Sequence, residues 1–180
     1  MKIMVASDIH GSALYCEKML AAFKHERADK LLLLGDILYH GPRNDLPEGY
    51  APKKVIEMLN AVKESLLAVR GNCDTEVDQM VLQFPILADY AIFYLGDRLF
   101  YATHGHNFNE EKLPPLQKGS ILLHGHTHVP VYREHEDYIY MNPGSTSIPK
   151  ENSPHGYMLL TESEAVWKTL DGQTWQQFSF

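Results

Sequence analysis

Cysteine is scarce in this chain: 180 residues carry only Cys16 and Cys73. Two thiols do not make the disulfide framework of a small secreted domain, so the fold must rest on its own core. Long apolar runs are missing too. The opening run Ile3-Met4-Val5-Ala6 stops at Asp8, too short for a signal peptide. No stretch approaches the ~18 apolar residues of a membrane span. Basic charge is also short. Lys plus Arg number 16 against 23 Asp plus Glu, a net charge of −7, the reverse of a chain that tracks a phosphate backbone. Small phosphorylated substrates stay open, because bound metal ions reverse charge locally. No linker, repeat or low-complexity block interrupts the chain. These absences lead us to expect a cytoplasmic protein, residues 1–180 as one domain, with no membrane partner and extended nucleic acid unfavoured.

What is present is ordinary globular composition, 44% hydrophobic and 22% charged, which excludes a disordered tail, a collagen and a coiled coil. The first half alternates strand and helix patterns. Lys2–Ala6, Leu31–Leu34 and Leu66–Val69 read as short buried strands. Between them, a helix is capped by Ser12 and carries Leu14, Met19, Leu20 and Phe23, and another starts at Pro52 and carries Val55, Ile56, Leu59 and Val62. Residues 37–52, rich in Gly and Pro, read as a loop. The second half is strand-rich. Tyr90–Leu95 and Leu99–Thr103 flank Gly96-Asp97. Ile121–Leu123, Val129–Arg133 and Tyr138–Met141 follow. A last meander, with Asp171-Gly172 as a hairpin turn, brings Trp167, Trp175, Phe178 and Phe180. We expect these aromatics in the core, although they would also suit the interface of a homo-oligomer. The order predicts an α/β domain on two packed sheets.

Five of the short runs end in residues that suit a metal: Asp8-Ile9-His10-Gly11, Gly35-Asp36, Gly71-Asn72-Cys73-Asp74, His104-Gly105-His106 and His124-Gly125-His126-Thr127-His128. Ligands of open α/β sheets bind beyond the carboxyl ends of strands, so adjacent strands would gather these loops at one place. Carboxylate, amide and imidazole suit Mn, Fe(II), Zn, Co or Mg, and no thiolate cluster exists for a softer site. Two Asp, one Asn and several His exceed what one tetrahedral ion needs and suit two ions sharing a carboxylate. Each motif alone is more often a turn or a solvated His; their conjunction at strand ends points to a metal centre. His25, His135 and His155 read as surface residues.

In this order the motifs resemble the calcineurin-like metallophosphoesterase superfamily, whose pattern is D-x-H, G-D, G-N-H-(D/E), H and G-H-x-H. The likeness runs from residue 8 to 128. Asn142-Pro143-Gly144-Ser145 is similar to a further loop of small members. Cys73 and the loop Tyr39-His40-Gly41-Pro42-Arg43-Asn44 resemble the YfcE group of bacterial phosphodiesterases. The resemblance implies a four-layer α/β/β/α sandwich, two mixed sheets flanked by helices. It implies Asp8, His10 and His128 on one ion, Asn72, His104 and His126 on a second, and Asp36 between them, with the assignment of His126 and His128 open. The group is associated with Mn2+, and the ligand set would also accept Zn2+, Fe2+, Co2+ or Mg2+. The implied activity is hydrolysis of small phosphodiesters by in-line attack of an activated hydroxide.

Cys73 departs from the pattern, which has His there. A thiol donates weakly, so we expect it not to replace a histidine acid; a plain packed residue is the alternative. Asp74 would orient a neighbour or cap the helix that follows. Arg43 and His40 would reach substrate phosphate or brace their own loop. His106 would stand behind the ligands or meet substrate. Two other functions compete: a non-catalytic protein-interaction scaffold of the same fold, as in retromer, and a nuclease. Filled ligand positions favour the enzyme over the first, and the acidic charge opposes the second.

Overall fold

The computed structural model describes residues 1–180. Six strands form one mixed sheet in the order β11-β10-β9-β1-β2-β3: β1 (Ile3–Ala6), β2 (Lys30–Leu33), β3 (Leu66–Ala68), β9 (Gly156–Leu160), β10 (Glu164–Thr169) and β11 (Thr174–Ser179). Here β1, β2 and β3 run parallel, and β9, β10 and β11 are added antiparallel. Five strands form the second, β4-β5-β6-β8-β7: β4 (Tyr90–Leu95), β5 (Arg98–Thr103), β6 (Ser120–Leu123), β7 (Pro130–Glu134) and β8 (Tyr138–Pro143). In it β5, β6 and β8 are parallel, with antiparallel edges. The helices are α1 (Ala13–Glu26), α2 (Pro52–Asn60) and α3 (Glu76–Val81). No helix is long and apolar enough to cross a membrane.

The apolar runs are continuous because their strands are covered on both faces. In β1 and β2, Met4, Ala6, Leu31 and Leu33 join Cys16, Met19, Val55 and Leu59 of the helical layer. The intervening Ile3, Val5 and Leu32 face the second sheet, where Phe100, Ala102, Ile121, Leu123 and Met141 meet them. This is the two-residue alternation of a strand working against two layers at once. The outer face of the second sheet carries Tyr101, Leu122 and Tyr140, packed by Phe108 and Leu116. That outer cover, residues 104–119, contains bends and no helix. The fold is thus α/β with two packed mixed sheets, and its helices come from the first half of the chain.

The C-terminal aromatics divide. Trp167 is buried and donates Nε1–H to the Asn142 carbonyl at 2.6 Å. Phe178 stacks on Tyr132 with ring centroids 3.9 Å apart. Trp175 is 49% exposed, contrary to the expectation of a core residue. It lies on edge strand β11, one position off the inward parity of Phe178 and Phe180, and strand parity decides which aromatic is buried.

Candidate metal centre

The carboxyl ends of parallel strands open at one edge of the sandwich, and the five loops meet there. Asp8 N–H donates to the Gly35 carbonyl at 3.1 Å, and His10 N–H to the Asp36 carbonyl at 2.9 Å, which ties the first two loops together. His126 N–H donates to Asp8 Oδ2 at 3.1 Å, which joins the two sheets. A Cβ on Gly125 would fall 2.9 Å from Asp8 Oδ2, so only glycine admits this approach. Asp8, His10, Asp36, His126 and His128 have φ of 58, 48, 55, 66 and 64°. Left-handed backbone costs a non-glycine residue on the order of 1–2 kcal/mol, and such strain collects at functional sites.

Burial is extreme for such polar groups: Asp8, His10 and His104 have no exposed surface, and Asp36 has 2%. Three imidazoles are locked by backbone carbonyls. Nδ1–H donates from His10 to Tyr39 O at 2.8 Å, from His104 to Leu34 O at 2.6 Å and from His128 to Ile148 O at 2.7 Å. With Nδ1 carrying the proton, Nε2 is left as the inward-facing lone pair. His10 Nε2 and His128 Nε2 face each other at 3.3 Å, with Asp8 Oδ1 at 3.5 and 3.2 Å from them. That buried oxygen has no hydrogen-bond donor. Two imidazole nitrogens and a carboxylate oxygen converging within 3.5 Å fit a cation. On the other side, His104 Nε2 lies 3.1 Å from Asn72 Oδ1, 3.1 Å from His126 Nδ1 and 3.4 Å from Asp36 Oδ2. Asp36 Oδ2 is also 3.7 Å from His10 Nε2, and so stands between the two groups.

Charge follows the same division. Burial opposes ionisation of Asp8, but the His10 and His128 imidazoles outweigh it and hold the carboxyl well below its ordinary value. Asp36 is likewise lowered against its burial, chiefly by His104. The carboxylates answer on the imidazoles. His104 is raised to about 9 in spite of burial, by Asp36 first, and His10 is raised, by Asp8. A site that draws protons this strongly would draw a divalent ion. His126 is pushed down to about 4 by burial and by His104, so its ring is a neutral lone-pair donor.

The remaining residues named from sequence fall around this core. Asp74 lies behind it: its carboxylate accepts from Gly71, Asp36 and Ile37 N–H at 2.7, 2.8 and 2.9 Å. Burial raises it to about 6. The cap of α3 is Thr75, in a reciprocal box with Asp78, so the capping alternative for Asp74 is replaced by the bracing one. Cys73 is buried, and burial together with Asp36 pushes its thiol up to about 12. Its backbone N–H fixes Asp36 Oδ1 at 2.8 Å. Arg43 lines the open cleft above the cluster. His40 does not; its ring sits edge-on to Tyr39 and Tyr50, at 4.8 and 5.4 Å. His106 is 5.5 Å from the His104 ring and is lowered by burial and by that neighbour. Of the surface histidines, His25 and His135 are exposed, whereas His155 is half-buried and stacked on Tyr15 at 3.9 Å.

The cleft has a volume of about 350 Å³ and adds Asn44, Thr127 and Lys150 to the residues read from sequence. Lys150 arrives through its backbone N–H on the His128 carbonyl at 3.1 Å. The Asn142–Ser147 loop supports the floor. Ser145 and Ser147 Oγ both donate to the Asp8 carbonyl, at 2.9 and 3.0 Å. His124, the first residue of the last motif, joins neither group; it is buried, stacked on Tyr140 at 4.3 Å, and lowered to about 4 by burial.

Residues 1–165 match the calcineurin-like phosphoesterase superfamily domain. The chain belongs to that superfamily. It is similar to phosphodiesterase YfcE of Escherichia coli K12, 51% identical over 89% of this chain and 87% of that protein. A solved structure of the phosphoesterase YfcE from E. coli superposes with a TM-score of 0.96, at 47% identity, over 99% of both chains. A phosphodiesterase of Methanocaldococcus jannaschii is 26% identical over 83% of this chain and 89% of that one. Membership of a metallophosphoesterase superfamily implies divalent metal ions, and the buried groups Asp8–His10–His128 and Asp36–His104–His126 are able to take them.

Proposed function

We propose that this metallophosphoesterase is a phosphodiesterase that hydrolyses small phosphodiesters at a dinuclear centre. In this reading Asp8, His10 and His128 hold one ion, Asn72, His104 and His126 hold the other, and Asp36 is shared. The observation that carries it is the position of Asp36 Oδ2, 3.7 Å from His10 Nε2 and 3.4 Å from His104 Nε2. The YfcE relative, named a phosphodiesterase, supports the same substrate class. By resemblance to that group the ion is Mn2+.

Two bound divalent ions would supply Lewis acidity toward phosphate oxygens and lower the pKa of water toward neutrality. The protein does the rest. The Nδ1–carbonyl bonds hold the imidazoles in a single tautomer and orientation, so the centre needs no rearrangement before reaction. Arg43 and Lys150 bring positive charge to the cleft mouth of an acidic protein, where they attract a phosphate monoanion. Hydrolysis would form one P–O bond from water and break one ester P–O bond, yielding a phosphomonoester and an alcohol that takes up a proton of that water. Two cations at the mouth make a short electrostatic track, which favours a small ester over a nucleic-acid strand. The two cysteines are free thiols, which suits a reducing compartment such as the cytoplasm.

The test is to strip the protein with chelator and assay a chromogenic aryl phosphodiester with Mn2+, Mg2+, Zn2+ or no metal, beside Asp36→Asn. Metal-restored turnover that Asp36→Asn abolishes is expected. Folded, metal-loaded protein that turns over nothing would overturn the reading in favour of a scaffold.

A further inference from the structure

A second cavity, of about 340 Å³, adjoins the metal cleft. Its walls include Leu38, Tyr39, Tyr50, Ile56, Val77 and Val81, and seven of its eleven lining residues are hydrophobic. Cys73 lines this cavity and the metal cleft alike, so one side chain is the partition between them. The partition is low. Gly41 on the cleft side has no side chain, and a Cβ there would stand 3.1 Å from Cys73 Sγ. The polar residues at the rim are partly committed elsewhere. Thr75 N–H donates to Asp78 Oδ2 at 2.7 Å and Asp78 N–H to Thr75 Oγ1 at 3.4 Å, which leaves Asp78 Oδ1, the Lys53 amine and the two tyrosine hydroxyls.

The exposure of this surface has no folding rationale. Val77 is 69% exposed, and Tyr39 and Val81 are also left to solvent. Grouped apolar side chains beside a polar cleft mark a binding surface. The geometry points to a subsite for one apolar, aromatic-bearing ester arm of the substrate, with its phosphate in the metal cleft. This rests on the phosphodiester reading above. The occupant follows from the chemistry of the walls. Tyrosine rings and branched aliphatic side chains hold a flat apolar group. No side-chain amide lines the cavity, and its one carboxylate, Asp78, is tied through Oδ2 to Thr75 N–H and Oγ1–H at 2.7 and 2.9 Å, so the edge of a nucleobase finds few partners and a nucleoside arm gains little. The inferred substrate class is therefore a diester with an apolar aryl or aralkyl arm.

Binding can test this without turnover. Methyl benzylphosphonate and methyl methylphosphonate are monoanions that differ only in the arm. Titrated into metal-loaded protein, the benzyl analogue should bind about tenfold tighter or more, the return on burying one ring. Val77→Ser with Val81→Ser, which removes apolar surface without adding charge, should bring that ratio close to one and leave the methyl analogue unchanged. Both residues are on the exposed face of α3, so folding is spared. Equal affinities in the parent protein would overturn the inference, as would a variant that weakens both analogues alike. Selective binding without hydrolysis of any diester would sink the catalytic reading and keep the subsite. Hydrolysis without selectivity would do the reverse.

Discussion

The Asp74 carboxylate holds the backbone of Asp36: Oδ2 accepts the Asp36 N–H at 2.8 Å, and Oδ1 accepts the following Ile37 N–H at 2.9 Å. Asp36 has φ of 55°, a conformation that needs outside support. Asp74 supplies it from the next loop, and binds Gly71 N–H at 2.7 Å as well. The carboxylate proposed to be shared by the two ions is thus aimed by a second carboxylate that points away from them.

Asp74→Asn should therefore damage metal binding without removing a ligand. The amide keeps one acceptor and turns an NH2 toward a backbone donor, leaving that donor unpaired. The expected cost is about 1–3 kcal/mol of stability and roughly 10–100-fold in Mn2+ affinity. Calorimetric titration of Mn2+ beside urea unfolding would measure both. Unchanged affinity would mean that the Asp36 loop holds its shape unaided.

Gly71→Ala tests how close the loops must come. Gly71 has an ordinary negative φ, so alanine suits its backbone. Its Cβ would instead collide with Asp36 Oδ1 and with the Asp36 amide nitrogen. Overpacking of this kind costs about 1–3 kcal/mol, and here it would displace the shared carboxylate and abolish metal-dependent activity. Gly119→Ala is the control. Its φ is +82° with nothing within 4 Å of a Cβ, so it should cost about 1 kcal/mol and leave activity intact. Equal effects of the two variants on activity would refute the steric argument.

The loops that meet at this edge were legible in the sequence because each is a local pattern, a short apolar run closed by glycine and a polar residue. Which layer each of Leu31, Leu32 and Leu33 faces was not read, because a run of four leucines carries no polar residue to mark the alternation. Lys150 was not legible. It sits in a polar Gly- and Pro-flanked turn and reaches the cleft only through the His128 carbonyl. The role of Asp74 was read as one of two alternatives, although Thr75-x-x-Asp78 already offered a complete capping box. Trp175 was misplaced because an edge strand exposes whichever parity the core does not claim. His40 stands edge-on to Tyr39 and Tyr50, outside the cleft lining, and no pattern in the loop distinguished it from Arg43.

Away from the centre, Glu26 joins α1 to the first sheet. It accepts the Tyr157 hydroxyl at 2.9 Å and the Lys168 ammonium. Burial would raise its carboxyl, but Lys168 and Tyr157 prevail and hold it below the ordinary range. A lowered folded pKa gives stability that is present above the unfolded pKa and lost as pH falls through the folded one. Glu26→Gln keeps the shape and loses the charge. It should cost about 1–2 kcal/mol at pH 7, a difference that shrinks as pH falls below about 4. Urea midpoints of both proteins from pH 7 to 3 would show it. A difference independent of pH would assign the contact to packing alone.

Cys73 sits where the superfamily pattern has histidine, and its thiol is held protonated by burial and Asp36, up to about 12. A protonated thiol is a weak donor, so it offers little to a departing alkoxide. Turnover by the parent enzyme should therefore fall steeply as the leaving-group pKa rises, and aryl esters should be favoured over alkyl ones. Cys73→His places its ring at the border of the two cavities. An imidazole there would donate a proton in the transition state, worth about 10²–10⁴-fold where the leaving group is poor. The variant should thus gain most on alkyl esters and little on nitrophenyl ones, flattening the slope of rate against leaving-group pKa. Parallel slopes for the two proteins would show that position 73 handles no proton in the reaction, and would leave Cys73 as the wall between the metal cleft and the apolar cavity.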